Sequence, residues 1–513
     1  MKKWLTKPYL IDLLALLAGL LTVTAFAPFE WFLIAIISPA VLLFCWLNVS
    51  AKRAFWRGWL FGIGMFGGGV SWVFISIHVY GNTAPPLAFL ITLLFIAALS
   101  LYPACQGWLL KRLFPQDSTA KLLLAFPASW VLFEWIRTWL FTGFPWLLLG
   151  YSQTDSHLQS LAPLFGAFGI SFIVTFSSAL IVCFIRSFYR KQKQAYTYLL
   201  VFIVLHAIPT PLNLVQWTQT KGQPIQVSLV QGNIPQQLKW SQDYIDTTLE
   251  KYAKLTQPHW NSQIIVWPEA AIPLPLHAAQ SFVDLLDEKA KENGAVFITG
   301  LPIKAEDSDQ YYNSVLALGQ DQGRYDKRYL VPFGEYVPFD KVLRGLINFF
   351  DLPMSDFIRG SAKQVEISAA NISIGAFICY EIAYSGAMHS LLPQAELLIT
   401  VSNDAWFGDS LAPEQHLQIA QFRSLQSGRY QLFSTNDGIT AIISPQGKVI
   451  AQLPQFTSGV LTGEVQAMTG ATPWVYVGGK PAVGLMFLLL IIALLISKIS
   501  NRRRRPDLKS PEA

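Results

Sequence analysis

Eight runs of apolar residues, each about as long as a bilayer is thick, constrain this chain more than any other feature. A helix needs roughly 20 predominantly apolar residues to cross the hydrocarbon layer. Such runs lie near residues 9–27, 31–48, 57–78, 86–110, 122–141, 160–185 and 195–211, and an eighth near 481–498. Only 14% of the 513 residues are charged and 52% are hydrophobic, whereas soluble domains carry roughly 25% charge. A wholly soluble protein is therefore excluded. The expected organisation is a polytopic α-helical membrane bundle of about eight spans (seven helices in 1–211, the eighth at 481–498). A separate soluble domain over 212–480 and a basic tail over 499–513 complete it.

Lys and Arg collect on the cytoplasmic side of a membrane and so set orientation. Lys2, Lys3 and Lys7 precede the first run, and Lys52, Arg53 and Arg57 lie between or just inside the second and third. Lys111, Arg112 and Lys121 separate the fourth and fifth. Arg186, Arg190, Lys191 and Lys193 follow the sixth, and Arg502 to Arg505 follow the eighth. The intervening loops near 28–30, 79–85 and 142–159 have no Lys or Arg. Both termini are thus expected in the cytoplasm and 212–480 outside it. The net charge of +6 is a topology signal, and Arg502–Arg505 reads as an anchor beside anionic lipid rather than a nucleic-acid site. Ala25-Phe26-Ala27 resembles a signal-peptide cleavage site, but Pro28 and a second apolar run follow at once, so a retained span is expected.

The outward segment mixes short β-branched runs with amphipathic ones. Strands are predicted at Ile225–Gln231, Ile264–Trp267, Val296–Thr299, Ser314–Leu318, Ile372–Ile378, Leu397–Val401, Leu432–Ser434 and Ile439–Ile443. Helices are predicted at Ala278–Asn293 and Pro413–Gly428, and the alternation implies a layered α/β domain.

Cysteine usage narrows the chemistry. Cys45, Cys105 and Cys183 fall in apolar runs, as small fillers would. Cys379 is the only cysteine of the outward domain and follows a predicted strand, in Ile378-Cys379-Tyr380-Glu381. By itself it fits a buried inert thiol as well as a nucleophile, and a nucleophile would need an activating base or cation. Glu269, in Val266-Trp267-Pro268-Glu269, follows a buried strand and is held between Pro268 and Pro273. Lys327 lies in an aromatic and apolar setting, Tyr325-Asp326-Lys327-Arg328-Tyr329, where an ammonium could face developing negative charge. Glu335 is its candidate counter-charge or a second acid–base group. Singly, Glu269 and Lys327 also fit ordinary surface positions. The seven His residues show no metal-ligand spacing, and neither metal nor cofactor is expected.

Glu269, Lys327 and Cys379 occur in that order, 58 and 52 residues apart. In this arrangement the sequence resembles the nitrilase superfamily of carbon–nitrogen hydrolases. That resemblance implies an αββα sandwich and a Glu–Lys–Cys triad. An outward domain of this kind set between seven spans and an eighth is similar to the apolipoprotein N-acyltransferase family of Gram-negative inner membranes. Val230-Gln231-Gly232-Asn233-Ile234-Pro235, Val331-Pro332-Phe333-Gly334-Glu335-Tyr336-Val337-Pro338 and Ser402-Asn403-Asp404-Ala405-Trp406-Phe407-Gly408 resemble that family's motifs. The resemblance implies ping-pong transfer of an acyl chain from a phospholipid, through a Cys379 thioester, to the α-amino group of an apolipoprotein's S-diacylglyceryl cysteine. It implies Glu269 as base, Lys327 as oxyanion partner and a periplasmic catalytic domain on the bacterial inner membrane. Nothing demands a partner chain, and a monomer is expected.

Glu335, Tyr380 and Glu381 are candidates for support of the triad. Trp240 and Trp406 fit either interfacial contact with lipid or substrate, or plain core packing. Asn313 fits strand entry better than ligand contact. Glu134 and Arg137, one helical turn apart in the fifth run, fit a headgroup path or a structural ion pair. Gly62, Gly64 and Gly67-Gly68-Gly69 would permit close helix packing. A membrane-bound amidohydrolase using water, and a transporter or lipid-binding scaffold, are the competing readings. The spans and flanking motifs disfavour the first. The scarcity of polar groups at mid-membrane disfavours the second.

Overall fold

The computed structural model describes residues 7–306, 308–332, 334–336, 357–364 and 366–503, with side chains to residue 500. Lys2, Lys3, Phe333, Val337, Pro338, Arg504 and Arg505, and the side chains of Arg502 and Arg503, lie outside the described set. The chain divides into two compact units. One comprises Leu90–Val215 with the stretches up to Ser71 and from Gly479; the other comprises Trp72–Phe89 and Gln216–Gly478.

The first unit is helical. Among the described residues, the chain has five helical segments long and apolar enough to cross a membrane: Pro8–Ala25, Pro85–Leu113, His157–Tyr189, Gln194–Leu212 and Lys480–Ser500. A sixth is possible if Ala51–Gly69 and Val73–Tyr80, bent by 63°, count as one. Two of the eight expected runs are not among these. The second apolar run folds as the 12-residue helix Ile34–Cys45, with Pro39 inside it. The fifth folds as a π-helical turn, Lys121–Ala125, that runs without a break into the helix Phe126–Arg137, and it carries Lys121, Glu134 and Arg137. The twelve residues of Ile34–Cys45 reach about 18 Å at ~1.5 Å each, against a hydrocarbon layer of about 30 Å. Glycine sets the closest helix contacts: a Cβ on Gly64 would stand 2.2 Å from Leu16 O, and one on Gly62 would stand 2.6 Å from Ser100 Cα. The neighbouring Gly67 has no such need, since its nearest contact would be 4.0 Å away.

The second unit is an α/β sandwich. Its strands are β1 (Thr218–Gln231), β2 (Ile264–Val266), β3 (Val296–Lys304), β4 (Tyr311–Gly319), β5 (Gly323–Asp326), β6 (Ile367–Ala369), β7 (Ile372–Ile378), β8 (Leu397–Ser402), β9 (Gln431–Thr435), β10 (Thr440–Ile443), β11 (Val449–Leu453) and β12 (Gly459–Gly470). They form two six-stranded sheets, ordered β12-β1-β2-β3-β4-β5 and β11-β10-β9-β8-β7-β6. In each sheet three adjacent strands run parallel (β1-β2-β3 and β7-β8-β9) and the flanking ones antiparallel. The sheets face each other through contacts such as β1 with β9 and β4 with β7.

Helices cover both outer faces. Ile245, Leu249 and Tyr252 recur at helical spacing on Gln242–Thr256, and Ala279, Val283 and Leu286 on Leu276–Glu292. These stripes bury Ile265, Trp267, Phe297 and Leu318 of the first sheet. Leu417 and Ala420 of the helix Ala412–Ser427 cover Phe433, Ala441 and Ile443 of the second. The result is the expected αββα order. Residues 72–89, which the apolar runs assign to the membrane part, also belong to this unit. Trp72 packs edge-on to Phe407 with 4.8 Å between ring centroids, and the Ser76 hydroxyl donates to Trp406 O at 2.7 Å.

Candidate active site

Strand ends converge on one buried cluster. Glu269 leaves β2 through Trp267 and Pro268. Trp267 is fully buried, donates from Nε1 to Thr256 Oγ1 at 2.8 Å and packs against Tyr252 and Phe297. Its backbone N–H donates to Ile298 O at 2.8 Å, which straps the segment to β3. β3 in turn carries Gly300, where a Cβ would stand 2.6 Å from Ala270 N and 2.8 Å from Glu269 Cα. Lys327 follows β5, with its N–H donating to Asn313 O at 2.8 Å. Cys379 follows β7 and opens a 3₁₀ turn, Cys379–Ala383.

Two of these segments hold unfavourable backbone. Ala270 has φ +47° and Cys379 has φ +53°. For residues with a Cβ, the left-handed region costs about 1–2 kcal/mol each, and such strain clusters at working sites. The turn after Cys379 is anchored by the fully buried Glu381, which accepts from Ile378 N at 3.2 Å and Arg328 N at 2.9 Å.

The charged groups share one hydrogen-bond network. Lys327, 1% exposed, donates from Nζ to Glu335 Oε1 at 2.9 Å and to Glu269 Oε1 at 3.3 Å. Asn313 Nδ2 bridges the same two carboxylates at 2.7 Å (Glu269) and 2.9 Å (Glu335). Glu269 Oε2 accepts from Asn403 N at 2.9 Å, and Glu335 Oε2 from Val331 N at 2.8 Å. Burial pushes the Lys327 ammonium down, but the charges of Glu269, Glu335 and Cys379 outweigh it and hold it above the usual lysine range. Burial, and then the charge of Glu269, push the Cys379 thiol well above the ordinary thiol range; Lys327 and a hydrogen bond with Ser402 pull the other way. Burial also raises the Glu381 carboxyl, against the pull of Arg328.

Glu269, Lys327, Cys379, Glu335 and Glu381 therefore come together as one constellation. Asn313 lies inside β4 rather than at its entry, and its amide is spent on two carboxylates, which makes it a brace for them. Tyr380 packs edge-on to Tyr384, itself stacked on Tyr329 at 4.3 Å between centroids. Trp406 is half-buried and meets Tyr80 edge-on at 5.8 Å. Trp240 is half-buried, and its Nε1 has no hydrogen-bond partner among the described residues. Glu134 and Arg137 are elsewhere, buried in the helical unit. Glu134 accepts from Trp130 Nε1 and Leu149 N, and Arg137 donates to the carbonyls of Phe144, Trp146 and Leu147. Both brace the 144–149 loop. Among the described residues, no three His, Cys, Asp or Glu side chains converge to hold a metal ion.

Several site residues had little or no sequence signal. Lys239, 1% exposed, donates to Glu269 O at 3.0 Å. Asn403 Nδ2 donates to Gln236 Oε1, and Asn436 Nδ2 to Asn403 Oδ1 and Ile234 O. These bonds explain why the runs around Asn233 and Asn403 look unusual: they tie the ends of β1, β8 and β9 beneath Glu269. Reading the polar residues that follow each parallel strand would have found Asn403 and Asn436. Lys239 sits in a short polar helix and gives no such cue.

Comparisons with known proteins show the family. A family model described as apolipoprotein N-acyltransferase N-terminal domain matches residues 18–180, and one described as carbon-nitrogen hydrolase matches 226–473. The apolipoprotein N-acyltransferase of Coxiella burnetii is 44% identical over 94% of this chain and 100% of that protein. The chain belongs to the apolipoprotein N-acyltransferase family. The Pseudomonas aeruginosa apolipoprotein N-acyltransferase is 42% identical over 98% of this chain and 99% of its own length. A carbon–nitrogen hydrolase from Helicobacter pylori aligns with 48% of this chain and 90% of its own, at 15% identity and a TM-score of 0.36. Family membership makes the chain a membrane-embedded acyltransferase with a nitrilase-like domain.

Proposed function

We propose that the chain moves a fatty acyl group from a phospholipid, through a thioester on Cys379, to the α-amino group of the S-diacylglyceryl cysteine of an apolipoprotein. One observation carries this reading: a buried thiol, one ammonium and two carboxylates share a site at the ends of β2, β5 and β7. A thiol kept protonated by burial and by a neighbouring carboxylate does not ionise unaided. It reacts when Glu269 takes its proton as sulfur attacks the ester carbonyl. The Lys327 ammonium, fixed by Glu335, faces the developing oxyanion. The ester C–O bond then breaks, and Glu269 returns the proton to the departing lysophospholipid. In the second half Glu269 takes a proton from the attacking amine, the C–S bond breaks, and Glu269 passes that proton to the departing thiolate.

Glu381 holds the turn that carries Cys379, and Asn313 keeps the two carboxylates apart from each other but joined to one donor. Tyr380, Trp240 and Trp406 supply apolar surface for acyl chains. Glu134 and Arg137 act on the fold of the helical unit. The Lys and Arg distribution supports residues 1–211 and 481–498 as the anchor in a bacterial inner membrane. On this reading both termini are cytoplasmic, 212–480 is periplasmic, and the enzyme acts as a monomer.

Intact-mass measurement of purified protein after incubation with phospholipid tests this. The expected result is one acyl adduct on Cys379, discharged by a diacylated lipopeptide with formation of the triacylated product. Discharge only to water would make the chain a hydrolase. Absence of any adduct, with Cys379→Ser as active in cells as wild type, would remove Cys379 from the reaction.

A further inference from the structure

A second shell of buried polar groups lies behind Cys379, and the transfer steps leave it idle. His416, on the helix Ala412–Ser427, is fully buried. Its ring is set edge-on between Phe407 and Phe433. Its Nδ1 stands 3.1 Å from Asp404 Oδ1 and its Nε2 stands 3.2 Å from Cys379 O. Both neighbours are oxygens. A peptide carbonyl can only accept, so Nε2 must carry a hydrogen for that contact to hold. The Nδ1 contact then needs a second hydrogen, borne by the ring or by the Asp404 carboxyl. The contact with Cys379 O is the one that calls for the Nε2 hydrogen, and Asp404 orients the ring from its other side. The same Asp404 oxygen accepts from the Ser402 hydroxyl at 2.7 Å, and Ser402 lies beside the Cys379 thiol. Two helical turns on, Arg423 donates from Nε to Ile382 O at 2.9 Å and from Nη2 to Ala383 O at 2.6 Å. One helix therefore supplies donors to three carbonyls of the turn Cys379–Ala383, and the first of them belongs to a residue at φ +53°.

We infer that His416, oriented by its contact with Asp404, is a positioning residue whose Nε2–H holds the Cys379 carbonyl and with it the left-handed backbone that aims the thiol. The inference rests on Cys379 being the nucleophile. Asn and Gln separate the two contacts of the ring. The amide nitrogen of Gln falls near the position of Nε2, and that of Asn near the position of Nδ1. His416→Gln therefore keeps a donor for Cys379 O, whereas His416→Asn keeps only the contact with Asp404.

The test uses full-length protein in detergent with a phospholipid acyl donor, reading the rate of adduct formation by intact mass and Tm by thermal scan. His416→Asn is expected to acylate about 10²-fold more slowly than wild type, the cost of misplacing a reacting atom by about 1 Å, with His416→Gln within about tenfold. The two variants should share a similar Tm and an unchanged KM for phospholipid. Equal losses in both variants, or losses that follow Tm, would assign His416 to the core and overturn the inference. Absence of an adduct on wild type would instead overturn the Cys379 reading, and this inference with it.

Discussion

At the scale of residues, the site is a set of charges kept in balance without solvent. Lys327 is divided between Glu269 and Glu335, and Lys239 and Asp437 form a further layer beneath them. Burial, and then the charge of Asp404, raise the Asp437 carboxyl to about 7. Burial lowers Lys239 to about 8, against the charges of Glu269 and Asp437. In the unfolded chain an Asp ionises near pH 4, so between about pH 4 and 7 the unfolded state sheds a proton that the folded state keeps. Asp437 therefore contributes stability at low pH that is lost as pH rises through 7. The Lys239 effect falls in a separate window, with stability lost as pH drops from about 10 to 8. Asp437→Asn should raise stability at pH 7.5 by roughly 1–3 kcal/mol, with the gain vanishing near pH 4. Tm measured across that range checks it. Of the residues in the site, Cys379, Glu269 and Lys327 were legible because each sits in an unusual short context at a strand end. Lys239 and His416 were not, because a polar residue on a helix carries no mark of the neighbour it will meet.

At the scale of elements, what the sequence revealed follows sheet position. The eight predicted strands are the eight interior strands of the two sheets. The four it missed, β5, β6, β11 and β12, are the four edges. Interior strands of a layered domain are covered on both faces and read as continuous apolar runs. Edges are half-solvated: residues of β11 alternate between intermediate and exposed, and β12 ends on exposed Thr469 and Gly470. Interior strands also place the chemistry. β3 contributes no reacting group, yet its Gly300 leaves room for the backbone of Glu269. Gly300→Ala would press a methyl group into Ala270 N and Glu269 Cα. It should cost about 1–3 kcal/mol of stability and about 10²-fold in acylation rate through displacement of the carboxylate, read by Tm and by adduct kinetics.

At the scale of the molecule, hydropathy finds apolar length but cannot tell a crossing from a shorter buried helix. Ile34–Cys45 is short, and Lys121–Arg137 carries Lys121, Glu134 and Arg137 within its apolar run. Orientation is better posed, since each loop casts its own vote. A membrane-impermeant maleimide should label a cysteine at the exposed Leu285 in spheroplasts, and one at the exposed Lys191 only after permeabilisation. The opposite pattern would invert the topology.

The segment 72–89 has a consequence for exchange between relatives. It is encoded within the N-terminal half, yet its Trp72, Ser76 and Tyr80 touch Phe407 and Trp406 of the sandwich. A chimera joined at residue 211 would therefore draw the two sides of this seam from different parents. Taking residues 72–89 and the loop around Trp406 from one parent keeps both sides of that seam together.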